Sequence, residues 1–393
     1  MTTKNKLNVL NLFEKSRTNQ TYVKVSAPMV RYSKLHFRTL VKNYGVDLTF
    51  TPMILADSFC QNAKARMSEF STTVNDSPLI AQFAANTTND FVDASQLVYP
   101  YVDGVDLNCG CPQKWAMKDG YGCALLSNMQ TIYDLVKGIK NCLPNDFSVS
   151  VKIRILKELK RTIDLCQQLE KCGLTFMTVH GRTPQQKSSD NIDTDALHQV
   201  CQSVKIPLIA NGGIKSLSDA DNLYDTLKCN GVMAASALLT NPALFSGANV
   251  TPLSCVKLWM NMKDKEYTNI SFQCYHHHLV FMLEKVLTKQ QKIVFNHLNS
   301  FEAVDDYLIS NLLNDYEGPT EFEYSLEEFI SCQYPDEITL KHASKCRGCG
   351  KSAYYCVCKK YDCNATDGTY FTSYVKDIES CDYTGFNIFD ETG

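Results

Sequence analysis

The chain predicts an α/β fold: a (β/α)8 barrel followed by a small all-helical domain and a cysteine-rich C-terminal extension. Strand-like runs alternate with helix-period segments from Lys24 to Leu239, at intervals of about 25–30 residues, the size of a βα unit. Eight such runs fall in that span, and polar residues collect where they end, as they do in barrels that build a site at the strand C-termini. A doubly wound sheet would place a phosphate-binding glycine fingerprint after its first strand, and Ala27-Pro28-Met29 offers none.

The strand candidates are Val23–Val30, Leu48–Ile54, Leu79–Ala84, Gly104–Asn108, Ser148–Ile155, Phe176–His180, Leu208–Asn211 and Gly231–Ala235. Between them Ser33–Tyr44, Asp90–Tyr101, Met129–Cys142, Lys160–Cys172, Asp195–Val204 and Leu217–Cys229 carry apolar residues at helical spacing. Glycine stops follow several of them, as in Tyr44-Gly45 and Cys172-Gly173. The chain then divides into a polar N-terminal tail (1–20), the barrel (21–250), a helical domain (251–315), an acidic linker (316–344) and the cysteine-rich end (345–393).

Charge separates these parts. Residues 1–301 hold 32 Lys and Arg against 24 Asp and Glu, whereas residues 302–337 hold 11 acidic residues and no basic one. A basic body suits a polyanionic partner. In the helical domain His278, Lys285, Lys289 and Lys292 fall at i, i+7, i+11 and i+14, one stripe of a continuous helix, read either as a solvated face or as a phosphate-contacting one. No run approaches the roughly 20 apolar residues of a membrane span, and the N-terminus lacks an apolar signal core. The 18 cysteines are scattered through helix and strand patterns, as buried free thiols are, so a reducing compartment is expected: the cytoplasm, with the nucleus as an alternative. No obligate protein partner is evident.

The candidate chemistry begins at Asn108-Cys109-Gly110-Cys111-Pro112, where a proline ends a strand just beyond a thiol. Cys109 reads as a buried thiol of the strand. Cys111 can serve as nucleophile, metal ligand or general acid; a neutral thiol with a pKa of about 8.5 donates a proton at neutral pH and needs no metal. Lys152 and Arg154, in a strongly strand-prone run, each require an anionic partner, either an internal carboxylate or an anionic cofactor. His180 heads His-Gly-Arg-Thr, and Asn211-Gly212-Gly213 offers unobstructed backbone N–H groups after strand seven, a usual place for a phosphate.

These residues resemble the tRNA-dihydrouridine synthases, and within that family the eukaryotic branch acting at positions 20a and 20b. The resemblance runs from about Lys24 to about Tyr307 and rests on Ala27-Pro28-Met29-Val30, Thr51-Pro52-Met53-Ile54, the Pro78–Asn86 run, Asn108–Gln113, Gly120-Tyr121-Gly122, Val151–Arg154, Val179–Thr183 and Ile209–Gly212. It implies an FMN-bearing barrel and a helical tRNA-binding domain that reduce the C5–C6 bond of a D-loop uridine with NADPH or NADH. Carried over residue by residue, Cys111 would protonate C5 while reduced FMN delivers hydride to C6. Pro28 and Met29 would lie against the flavin, Gln82 would bond its ring, Lys152 would face its pyrimidine portion, and His180 would line the ribityl-phosphate side. Asn211, Gly212 and Gly213 would hold the phosphate, and Asn108 and Arg182 would contact tRNA, joined by Lys285, Lys289 and Lys292 on the phosphate-contacting reading of the stripe.

One departure stands out. Where the family has Gly-Arg or Ala-Arg closing the phosphate site, this chain has Ala235-Ser236, which removes a charge-assisted bond worth roughly 1.5–3 kcal/mol. A small-molecule FMN reductase such as a dihydroorotate dehydrogenase would need neither the basic helical extension nor the Cys-Pro loop. A tRNA-binding protein with impaired catalysis is the alternative that Ser236 raises. Near the C-terminus, Cys346, Cys349, Cys356 and Cys358 are spaced as candidate ligands of a structural zinc, although the second pair is an unusual C-x-C.

Overall fold

In the computed structural model, eight parallel strands close on themselves: β1 (Val23–Ser26), β2 (Leu48–Phe50), β3 (Leu79–Ala84), β4 (Gly104–Cys109), β5 (Ser148–Arg154), β6 (Phe176–His180), β7 (Leu208–Asn211) and β8 (Gly231–Ala234). Their order is β2-β1-β8-β7-β6-β5-β4-β3, and β3 pairs back onto β2, so the barrel has no open edge. Every residue of β3 through β8 is buried, as expected when helices cover one face and barrel side chains fill the other. The structure describes residues 6–263, 270–320 and 329–331.

The expected elements are present with shifted ends. Ala27–Val30 leaves the sheet after Ser26. Pro52 divides the second run, so that β2 stops at Phe50 and Ile54–Leu55 pairs separately with Phe83 and Ala84. Two short helices, Ala56–Gln61 and Ala63–Glu69, and a strand, Ser71–Thr73, fill the interval before β3 without having been anticipated.

The segment read as a polar tail instead contains a helix, α1 (Leu10–Thr18), that packs on the barrel. Val9 and Phe13 are buried, and the Phe13 ring lies 5.5 Å from that of Phe176, the first residue of β6, at the N-terminal mouth. The apolar residues Leu7, Val9, Leu10, Leu12 and Phe13 crowd into one short run, too brief for its helical periodicity to announce it. Within the expected acidic linker, Phe329–Ser331 pairs antiparallel with Ser71–Thr73.

The lysine stripe requires a larger correction. The expected continuous helix is two, Phe272–Met282 and Lys289–Asn296, separated by a turn. Thr288 begins the second with a capping box, its hydroxyl accepting from Gln291 N–H while the Gln291 side chain accepts from Thr288 N–H. His278 therefore leaves the stripe. It is fully buried between Trp259 and Phe37, at ring-centroid distances of 4.4 and 5.0 Å, while Lys285 and Lys289 are exposed and Lys292 pairs with Glu284 at 2.8 Å.

Candidate active site

Pro112 stops β4 and turns the chain over the barrel's C-terminal mouth. Asn108 holds this turn from inside: its Oδ1 accepts the N–H of Gly110 at 3.1 Å and of Cys111 at 3.0 Å. Arg154, at the end of β5, straps it from the next strand, Nε donating to Gly110 O at 2.9 Å and Nη1 to Thr183 O at 3.1 Å. On the far side the Cys123 N–H donates to Cys111 O at 2.9 Å. Gly122 makes that approach possible. Its φ is +60°, and a Cβ there would lie 2.5 Å from Cys111 O.

Beneath the turn a second set of bonds crosses three strands. Register places Gln82 beside Asp106 and Asp106 beside Ser150. The Asp106 carboxylate accepts from Gln82 Nε2 at 2.9 Å and from Ser150 Oγ at 2.6 Å. Gln82 Oε1 in turn accepts from Asn108 Nδ2 at 2.9 Å. The chain thus runs from a buried carboxylate, through two amides, to the backbone of Cys111.

Gln82, Asn108, Gly110 and Cys111 line one open cleft of about 560 Å³, its mouth included, and Lys152 lines it with them. Among the described residues no hydrogen bond or ion pair within 4 Å reaches Lys152 Nζ. Burial and the neighbouring Arg154 bring its pKa down to about 8, against the pull of Asp106. Burial likewise raises Asp106 to about 6, opposed by its bonds from Ser150 and Gln82. The half-buried Cys111 thiol is raised by desolvation, while the Gln113 backbone, Arg154 and Lys152 favour its thiolate. At neutral pH it is therefore a protonated thiol beside cations that accommodate the anion it becomes on giving up its proton.

His180 ends β6 beside Asn211. Its Nε2 lies 3.2 Å from Arg182 Nη1, and an arginine can only donate, so Nε2 accepts and the proton sits on Nδ1. Burial and the cations Lys152, Arg154 and Arg182 hold its pKa well below the usual histidine range and keep the ring neutral. The resulting Nδ1–H is buried and has no partner among the described residues. Gly212 packs on this ring with φ +114°; a Cβ would meet His180 Cδ2 at 2.7 Å. Gly213 follows at φ +77°, and Asn211 Nδ2 is anchored on Met233 O at 3.0 Å.

Of the residues singled out in the sequence, Pro28, Met29, Gln82, Asn108, Cys111, Lys152, Asn211 and Ala235 line the cleft together. His180, Gly212, Gly213, Arg182 and Ser236 adjoin this lining without forming it, whereas Lys285, Lys289 and Lys292 belong to the helical domain. Cys109 is a wholly buried thiol. Cys346, Cys349, Cys356 and Cys358 lie outside the described residues, among which no cluster of three metal-ligating side chains occurs. No helix among them is long and apolar enough to cross a membrane. Arg154, expected to need an anionic partner, spends Nε and Nη1 on two backbone carbonyls; Gly122, which stood in a quoted motif, and Asp106, inside an apolar-looking strand, are contributors whose roles went unassigned in the sequence.

The profile of the dihydrouridine synthase (Dus) family matches residues 25–333. A Mus musculus protein named tRNA-dihydrouridine(20a/20b) synthase [NAD(P)+]-like is 49% identical over 287 residues, 73% of this chain and 88% of the relative. The tRNA-dihydrouridine(20a/20b) synthase [NAD(P)+] of Schizosaccharomyces pombe is 43% identical over 288 residues, 73% of this chain and 86% of its own. A tRNA-dihydrouridine(16/17) synthase-like protein of Rattus norvegicus is 39% identical over 229 residues, 57% of this chain and 51% of its own. With its cleft, its Cys-Pro turn and all but the first two residues of its barrel inside the matched span, the chain belongs to the dihydrouridine synthase family.

Proposed function

We propose that this protein reduces the C5–C6 bond of a D-loop uridine in tRNA, with FMN as resident cofactor and NAD(P)H as reductant, at positions 20a and 20b. The names and coverage of the mouse and fission-yeast relatives support the positions. The observation that carries the chemistry is the Cys111 thiol, on a turn hydrogen-bonded by Asn108 and Arg154, over a cleft lined also by a lysine with no ion-pair partner among the described residues.

The residues present fit a flavin mononucleotide. The unpartnered His180 Nδ1–H and the Asn211-Gly212-Gly213 turn, with no Cβ on either glycine, suit a ribityl-phosphate end rich in acceptors. Lys152 suits an electron-rich ring edge, and Pro28 and Met29 give it a flat apolar wall. When bound, the flavin supplies hydride to C6 of the base.

The chain's own part is proton delivery and orientation. Cys111 gives its proton to C5, and the thiolate left behind is stabilised by Lys152, Arg154 and the Gln113 backbone until solvent returns a proton. Asn108 has one N–H remaining after its bond to Gln82, which serves to orient a uracil carbonyl. A base reaches this depth only when flipped out of its stack, which costs least in a loop. Lys285, Lys289 and Lys292 offer the RNA backbone positive charge from the helical domain. Mapping dihydrouridine in tRNA from cells lacking the protein tests the proposal, with Cys111→Ala as the rescue control. Loss at 20a and 20b that wild type restores and the variant does not is expected; unchanged dihydrouridine at every position would sink it.

A further inference from the structure

The Asp106 carboxylate lies at the root of the bonds that end on the thiol turn, yet it does not line the cleft. An ionised carboxylate only accepts, so both its partners must donate. Ser150 meets this with its hydroxyl, and Gln82 meets it with Nε2. That contact decides which way round the Gln82 amide sits, since a flipped amide would oppose two oxygens. With Nε2 turned to Asp106, Gln82 Oε1 faces Asn108, which must answer with Nδ2. Asn108 Oδ1 is then left to receive the Gly110 and Cys111 N–H groups, and it is saturated by them. Two N–H bonds remain uncommitted, one on Gln82 and one on Asn108, and both side chains line the cleft.

We propose that Asp106 is a positioning residue that sets the polarity of the cleft: acting through Gln82 and Asn108, it makes the floor present only N–H donors and fixes the turn that carries Cys111. The chemistry recognised is that of a ring carbonyl oxygen, on the flavin at Gln82 and on the pyrimidine at Asn108. A pyrimidine with an amino group in place of that carbonyl would bring donor against donor. The inference rests on the proposed function for the identity of the rings, but its first half concerns the turn alone and is testable without cofactor.

Alkylation of Cys111 by iodoacetamide, followed by peptide-resolved mass spectrometry on flavin-free protein, reads the turn directly. Asp106→Leu and Asn108→Ala are each expected to speed labelling by about 5-fold, and the double variant by no more than Asn108→Ala alone, because both cut one chain. Asp106→Asn keeps an acceptor for Gln82 while Ser150 rotates to accept, so its labelling stays within about 2-fold of wild type. If Asp106→Leu does not fold, Gln82→Met cuts the same chain one link later and is expected to give the same acceleration. Unchanged labelling, or effects of Asp106→Leu and Asn108→Ala that multiply in the double variant, would overturn the relay.

FMN affinity by fluorescence titration reads the polarity. A fall of about 10-fold or more is expected for Asp106→Leu, with Asp106→Asn near wild type; equal losses for both would overturn a role through acceptor geometry. A wild-type protein that bound no FMN, yet kept the labelling pattern, would defeat the proposed function and leave the relay standing.

Discussion

Two buried polar regions of this protein look alike in composition and behave as opposites. Around Asp106 and Asn108, ionisable and amide groups are linked bond by bond, and the few donors left over belong to side chains lining a cleft. At the junction of barrel and helical domain, His278 and His36 lie among Trp259, Phe37 and Tyr32. Among the described residues neither His278 ring nitrogen makes a hydrogen bond within 3.5 Å, and burial brings the pKa of His278 to about 3 and that of His36 to about 4. Those rings serve as flat neutral packing. Burial with a displaced pKa thus marks both places, and only a directed network with spare valence distinguishes the one that can do chemistry.

Removing the proton donor should separate the regions most sharply. Cys111→Ala is expected to slow single-turnover dihydrouridine formation by at least about 100-fold while the protein keeps its flavin and melting temperature. A loss below about 5-fold would put the donor elsewhere. Next in size is Ser236→Arg, which adds a charge beside the proposed phosphate end and is expected to tighten FMN binding about 10-fold; no gain in titration would remove Ser236 from that site.

Lys152 gives a pH-dependent test. Its folded-state pKa, about 8, lies below the ordinary 10.5, so its contribution to stability is present at high pH and is lost as pH falls through 8 and the buried group takes up a proton. Asp106 runs the other way: raised from 3.8 to about 6, it loses its contribution as pH rises through 6. Between these values both charges are buried, and the electron-rich ring proposed to lie against Lys152 would offset part of that cost. The gain in melting temperature on adding FMN should therefore be larger at about pH 7 than at about pH 9.5, and Lys152→Met should flatten the difference. The smallest effect belongs to the other region. His278→Phe is expected to move the melting temperature by only about 2–4 °C and to leave FMN affinity unchanged; a weakened cofactor site would erase the contrast between the two regions.

The barrel was legible because its signals are local. β6 and β7 have the bounds expected from alternation and turn residues, and Cys111 was marked by its own proline. What escaped was non-local or cancelled by context. Asp106 matters through Gln82 and Ser150, 24 and 44 residues away along the chain. Arg154 matters through a carbonyl 44 residues distant. The break in the lysine stripe was written locally, in Thr288-Lys289-Gln290-Gln291, but heptad spacing across the turn concealed it.

Phe13, seated on Phe176, packs α1 against the N-terminal end of the barrel, the end opposite the Cys111 turn. Anchorage and chemistry thereby sit at opposite rims. A change at Phe13 is expected to register in the melting temperature before it registers in the reactivity of the thiol.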